Sequence, residues 1–210
     1  MLMLKPSNHQ LLRTQVYEYL RGQLRNGALR PGMFLSITQL MKELNIGRTP
    51  LRDALIQMQT DGFVTFLPQR GIRINELSRQ EIKDILEVLG ALDSRVMLSV
   101  FPQIGPSQIS KMREMNQRMS EMAVQRDFYK YWEFNHQFHN VYLTLSSNSQ
   151  ILHLLNIFRQ RLFGFGEIDW SHALLDLNHN EHLKIIELLE SENPREAADY
   201  IRDVHIRVPF

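Results

Sequence analysis

The chain has 210 residues, 43% hydrophobic and 22% charged, with a net charge of +1 and no cysteine. This allows one large domain or two smaller ones with a sizeable core, and it excludes disulfide staples and cysteine-based zinc sites. The N-terminal MLMLKPSNHQ holds too short an apolar run for a signal peptide, and no window reaches the roughly 20 apolar residues of a membrane span, so the expectation is a cytoplasmic protein with no membrane partner. The near-neutral total hides an asymmetry. Residues 1–74 carry ten Lys/Arg against four Asp/Glu, whereas residues 75–210 carry fourteen against nineteen. A basic N-terminal third joined to an acidic remainder predicts two domains with different partners, the basic one suited to a phosphate backbone.

Along the chain, QLLRTQVYEYLRGQLR (10–25) places Leu12, Val16, Tyr19, Leu20 and Leu24 on one helical face. NGALRPG then reads as a stop and a turn. SITQLMKEL follows, with Ser36 and Gln39 at capping-box spacing and Ile37, Leu40, Met41 and Leu44 as an apolar stripe. After the break at Gly47 comes RTPLRDAL. Thr49 is read as a cap and Pro50 as the first helical residue, where its missing N–H costs nothing. That helix runs to about Thr60 and stops at Asp61-Gly62, with Leu51, Ala54, Leu55 and Met58 facing inward. FVTFL, PQRG and IRI then read as strand, turn and strand. Helix, helix, short turn, helix, hairpin is the order of a winged helix-turn-helix, whose recognition helix enters the major groove N-terminal end first.

From Ser78 onward the pattern is helical. Ser78 and Glu81 form another capping-box pair, and Ile82, Ile85, Leu86, Leu89 and Leu92 make a stripe. FPQIGP breaks it. Further helices are predicted near 107–123, 127–145, 149–165 and 178–191, and a last one from Asn193-Pro194 to about Arg207. The fold class is therefore mostly α: a winged helix-turn-helix over residues 8–75 and an all-α helical bundle over 78–207.

Arg48 and Arg52 lie four residues apart at the leading end of a helix that already favours anions. A guanidinium fork can bond guanine O6 and N7 or clamp a phosphate. Gln69, Arg70 and Gly71 form the wing tip, and Ser36, Thr38 and Thr49 offer hydroxyls to phosphates. A solvated face explains two arginines alone; the ordered motif with its basic excess favours double-stranded DNA.

The stretch ALRPGMFLSITQLMKELNIGRTPLRDALIQMQTDGFVTFLPQRGIRI resembles the DNA-binding domain of the GntR family of bacterial transcription regulators, through RPG, RTPLRDAL, DGFV and QRG in order and spacing. The remainder resembles the family's FadR-type branch with an FCD domain, through NHQFH, SSN, EHLKIIELLE and DVHIR. The resemblance implies a dimeric, ligand-responsive regulator, by default a repressor, with Arg48 and Arg52 on the operator and Gly71 at the wing tip. Two-fold symmetry then predicts a palindromic operator. Gly47 departs from the serine common at that position, which removes a hydroxyl.

Eight histidines are scattered along the chain, and scattered histidines are most often surface or hydrogen-bonded residues. Asn135 and His139 share a helical face, and His182 and His205 fall on two later helices; helices converging in a bundle can hold ligands in its core. The resemblance implies that these four positions bind a divalent metal, zinc or nickel, beside a small organic acid as effector. Asn135 stands where aspartate is usual, so one anionic donor is replaced by a neutral carbonyl. His136 and His179 are read as supporting residues. The alternative within this fold is a metal-free pocket in which the histidines meet an anionic effector directly. A second departure is LGALD (89–93), where a family arginine is absent and Asp93 replaces glutamate.

An enzyme or a metal-binding helical module without DNA function are the competing classes. A metal-dependent hydrolase would need a general base, for which Glu181 or Asp203 could serve. No nucleophile motif, Gly-rich phosphate loop or His-Glu-x-x-His accompanies them, so no enzyme is expected.

Overall fold

The computed structural model of the chain describes residues 9–165 and 172–207. They divide into two units. One holds residues up to Leu77 together with the end of α7 from Gln160; the other holds Ser78–Arg159 and the remainder.

In the first unit, α1 (His9–Arg25), α2 (Ile37–Leu44) and α3 (Arg48–Thr60) enclose a core of Val16, Leu20, Leu24, Leu40, Leu44, Leu51, Ala54, Leu55 and Met58. Ser36 caps α2 by accepting from the Gln39 N–H at 3.3 Å. The Gln39 side chain turns instead to Glu43 at 2.7 Å, so only half of the expected capping box forms. Asn45, at φ 51°, ends α2 in the left-handed conformation that asparagine tolerates.

Helix α3 begins two residues earlier than expected. Gly47 is its N-cap and Arg48 its first residue, so Pro50 occupies the third position rather than the first. The first turn has no intrahelical acceptors for its N–H groups, so proline costs nothing there either. Its ring is buried in the core.

Strands β1 (Phe34–Leu35), β2 (Val64–Leu67) and β3 (Gly71–Ile74) form an antiparallel sheet in the order β1-β3-β2. Strand β1 lies between the NGALRPG turn and the α2 stripe, where the sequence pattern assigns no element. Two residues are too short for any period to register, yet Phe34 pairs with Arg73 and Leu35 with Ile72. The wing turn needs its glycine: Gly71 has φ +91°, and a Cβ there would stand 3.2 Å from the Leu35 carbonyl oxygen.

The second unit is all helical among the described residues. Its members are α4 (Arg79–Val100), α5 (Pro106–Gln125), α6 (Phe128–Leu143), α7 (Ser149–Phe165) as far as Arg159, α8 (His172–Glu190) and α9 (Pro194–Tyr200). A short 3₁₀ turn, Phe101–Gln103, occupies the predicted break after α4. The capping box at α4 is complete: Glu81 N–H bonds Ser78 Oγ at 3.2 Å, and Ser78 N–H bonds Glu81 Oε2 at 2.8 Å. Helix α8 starts six residues before the expected 178. The last predicted helix is interrupted: α9 stops at Tyr200, and Ile201–His205 is a π-turn. Methionines 112, 115, 119 and 122 line the buried side of α5, where flexible thioethers fill an irregular core.

Candidate DNA interface and candidate metal centre

All eight residues expected to meet DNA are solvent-exposed: Ser36, Thr38, Arg48, Thr49, Arg52, Gln69, Arg70 and Gly71. Arg48 and Arg52 are the first and fifth residues of α3, one turn apart on the side away from Leu51, Leu55 and Met58. With glycine as N-cap, α3 has no side-chain cap from that position for its first N–H groups. They point outward at the positive end of the helix dipole, a geometry suited to phosphate. At the wing tip Gln69 takes φ 60° and leaves Arg70 exposed beside Gly71. A further basic residue outside the eight is exposed near the wing. Arg73 is exposed on β3 between the buried Ile72 and Ile74, and that period-two alternation was the signal for it.

In the helical unit, His139 of α6, His182 of α8 and His205 of the π-turn come together, with one ring nitrogen of each within 4.8 Å of the others. His205 Nε2 lies 3.1 Å from His139 Nε2 and 3.1 Å from His182 Nε2. Asn135 is half-buried on α6, one turn before His139.

The Nδ1 atoms point the other way, and each meets an acceptor. His205 Nδ1 is 3.0 Å from Glu181 Oε2, a carboxylate that can only accept from it. His182 Nδ1 is 3.1 Å from Asn116 Oδ1. Asn116 is fixed in that orientation because its Nδ2 donates to the His179 carbonyl at 3.1 Å. His139 Nδ1 is 2.8 Å from the Tyr142 hydroxyl, whose own proton goes to Asp93 Oδ1. These partners assign the proton of each imidazole to Nδ1. The three Nε2 atoms therefore turn toward one another, with His205 Nε2 in the middle.

Burial keeps two of the rings neutral. It drives His139 down to about 3 against the pull of Asp93, and it drives His182 well below the ordinary range, with the neighbouring histidines adding to the effect. The His182 ring stacks on Phe138, centroids 3.8 Å apart.

Lone pairs facing each other at 3.1 Å repel unless a proton or a metal ion lies between them. Ligand–metal bonds of about 2.0–2.1 Å place tetrahedral or octahedral nitrogens about 2.9–3.4 Å apart. The donor set thus fits a divalent metal: neutral imidazoles, lone pairs inward, and an orienting partner behind each ring.

Asp93 is fully buried and accepts from Tyr142 and from Arg159 of α7. Burial alone would raise its carboxyl, but Arg159, His139 and Tyr142 together hold it below the ordinary range. The arginine absent from position 89 is thus not missed by Asp93: α7 supplies the guanidinium, and Leu89 joins the core. Two other sequence candidates part ways. Glu181 orients His205, while Asp203 is an exposed partner of Arg202. His179 supports the centre through its carbonyl, and its Nδ1 meets Ser120 Oγ at 2.7 Å.

A winged helix with exposed arginines at the head of its third helix, and a helical bundle built around three inward-facing imidazoles, define a two-domain DNA-binding regulator. Residues 12–74 match bacterial regulatory proteins of the gntR family, and residues 84–207 match the FCD domain. The chain belongs to the FCD-domain regulators of the GntR family and is a transcription regulator, not an enzyme. It is 25% identical over 181 residues to the Nta operon transcriptional regulator of Aminobacter aminovorans, covering 86% of this chain and 84% of that one. It is 26% identical over 143 residues to the HTH-type transcriptional repressor RspR of Escherichia coli, covering 68% of this chain and 62% of that relative's length. Among solved structures, E. coli McbR/YncC shares the fold with a TM-score of 0.73 at 18% identity, over 93% of this chain and 95% of that one. No helix among the described residues is long and apolar enough to cross a membrane.

Proposed function

We propose that this regulator binds a palindromic operator as a homodimer, by default as a repressor, and that its C-terminal domain senses a small organic acid beside a divalent metal. On this reading residues 8–75 bind DNA in the cytoplasm and residues 78–207 bind effector and metal. Arg48 and Arg52 reach bases or adjacent phosphates, while Ser36, Thr38, Thr49 and the wing residues Gln69, Arg70 and Gly71 position the domain. Asn135, His139, His182 and His205 hold zinc or nickel. A metal bound there supplies a Lewis-acidic point for a carboxylate oxygen. The buried Nη1 of Arg159, without a hydrogen-bond partner among the described residues, offers a further donor to an anion. The effector shifts the balance between DNA-competent and incompetent dimer geometries.

The observation that carries the reading is the approach of the three Nε2 atoms to one another, each ring fixed by a separate partner on Nδ1. Native mass spectrometry with elemental analysis of the purified protein tests it, and is expected to give one transition metal per chain in a dimer. Protein that carries none, and takes up neither zinc nor nickel in titration, would sink the metal half. Mobility shifts on palindromic fragments that ignore both Arg48→Ala and Arg52→Ala would sink the operator half. A panel of organic acids that leaves those shifts unchanged at saturation would remove the sensing claim.

A further inference from the structure

The third imidazole of the centre rides on irregular backbone. The π-turn Ile201–His205 is closed by the Ile206 N–H bonding the Ile201 carbonyl at 2.9 Å. A π-turn adds one residue to the helical turn and so changes the face on which the following side chains emerge; such turns recur at functional sites. This one delivers His205 to the two imidazoles on α6 and α8, helices of 16 and 19 residues.

Its backbone also lies against α4. A Cβ built at Gly90 would stand 3.1 Å from the Arg202 carbonyl oxygen and 3.4 Å from both Arg202 Cα and the Ile206 carbonyl oxygen. Gly90 is buried in mid-helix, where glycine costs about 1 kcal/mol relative to alanine. The position uses the missing side chain, since any Cβ would press the π-turn outward. On the far side of the same turn, Glu181 bonds His205 Nδ1 and lies 3.5 Å from Arg207 Nη2. The turn is thus held between α4 and α8, with His205 between its two neighbours.

We propose that Gly90 is the positioning residue for His205, and that through this contact occupancy of the histidine centre is transmitted to α4. The proposal rests on the metal reading above. Of the three donors, His205 has the least helix behind it, so any movement of the crowded rings when metal leaves falls on the π-turn. Metal holds the turn in, against Gly90. Helix α4 begins at Arg79, directly after the connection from the DNA-binding unit, so tightening it at Gly90 acts on the segment that joins sensor to reader.

The experiment measures zinc affinity by competition with a chromophoric chelator, and amide hydrogen exchange with and without zinc, on the full chain. Gly90→Ala is expected to weaken zinc about 10- to 100-fold, as loss of an orienting contact does. It should also alter the visible spectrum of the cobalt-substituted protein, which reports donor geometry. Val96→Ala, a buried truncation elsewhere on α4, should leave zinc affinity and the cobalt spectrum unchanged. In the wild type, zinc should slow exchange in 201–207 and in α4 around Gly90. Folded Gly90→Ala that binds zinc like wild type, or zinc binding that leaves exchange in α4 untouched, overturns the proposal while the metal reading stands. If Gly90→Ala does not fold, the wild-type exchange decides alone. Wild type that binds no zinc or nickel overturns the metal reading and this proposal with it.

Discussion

The two units place their working residues in opposite ways. In the winged helix the eight residues proposed to meet DNA are all exposed and fall within residues 36–71, and the core beneath them is apolar apart from the Tyr17–Asp61 link. In the helical unit the three histidines and their partners are buried or nearly so, come from α4, α5, α6, α7, α8 and the π-turn, and depend on one another for orientation. An exposed interface can be altered residue by residue without touching the fold. A buried polar network cannot, because every deleted partner strands another group away from water. Function and stability should therefore separate in the first unit and move together in the second.

The sharpest break is expected at Asp93. Asp93→Asn leaves the Arg159 guanidinium, whose side chain is 12% exposed, without its counter-charge. Removing one partner of a buried ion pair costs about 3–5 kcal/mol. Hydrogen exchange, which reads the units separately, should show faster opening of α4, α6 and α7 with α1 to α3 unchanged. Equal acceleration in both units would mean that they do not behave as the comparison requires.

Metal removal comes next. At free metal a hundred times its Kd, a ligand bound only to the folded state contributes about 2.7 kcal/mol. Chelation should lower the thermal midpoint of the helical unit and leave the winged helix unmoved. A melting profile indifferent to chelator would mean that the three histidines hold no ion in solution.

The same contrast governs what the sequence disclosed. The winged helix was legible because its signals are local: a 3.6-residue stripe, a proline in a first turn, a turn glycine, alternating isoleucines. Strand β1 escaped because Phe34–Leu35 has no room for a period, and the start of α3 shifted because proline is tolerated anywhere in the first turn. In the helical unit the periodicity gave the helices, but the centre came only from family resemblance. His139 and His205 are 66 residues apart, as are His182 and Asn116, and Tyr142 and Asp93 are 49 apart. No local pattern announces such partnerships. The π-turn was invisible for a different reason: PREAADYIRDVHIR is acceptable helix throughout, and tertiary contact at Gly90 and His205 selects the wider turn.

A smaller effect tests the exposed side. Arg52→Ala should weaken operator binding by about 2 kcal/mol, roughly 30-fold, in the range of one bidentate base contact. Because Arg52 is exposed, the thermal midpoint should hold. If Arg52 reaches a base, the loss falls on specific operator more than on random DNA; if it clamps a phosphate, both weaken together and the salt slope falls by about one. A variant that loses both affinity and stability would show that α3 is not the free-standing face described.

The smallest effect lies where the first unit departs from its own rule. Tyr17 of α1 donates to Asp61 Oδ2 at 2.5 Å, and Asp61, at the end of α3, also accepts from Gln57 Nε2 at 3.1 Å. This half-buried link ties α1 to α3 and is the polar exception to an apolar core. Tyr17→Phe should cost about 1.5 kcal/mol, the lower end for a hydrogen bond to a charged acceptor, because water reaches part of the pair. The pH dependence identifies the bond. Burial first, and Asp61 second, raise the phenol above its ordinary 10.0. A raised acid favours folding while it stays protonated, so the contribution is whole below pH 10 and fades as pH climbs toward the folded value. Wild type should therefore lose stability in the winged helix above pH 10, and Tyr17→Phe, already lacking the bond, should show a flatter alkaline limb. Parallel alkaline limbs in the two proteins would assign the loss to other groups and leave Tyr17 as packing alone.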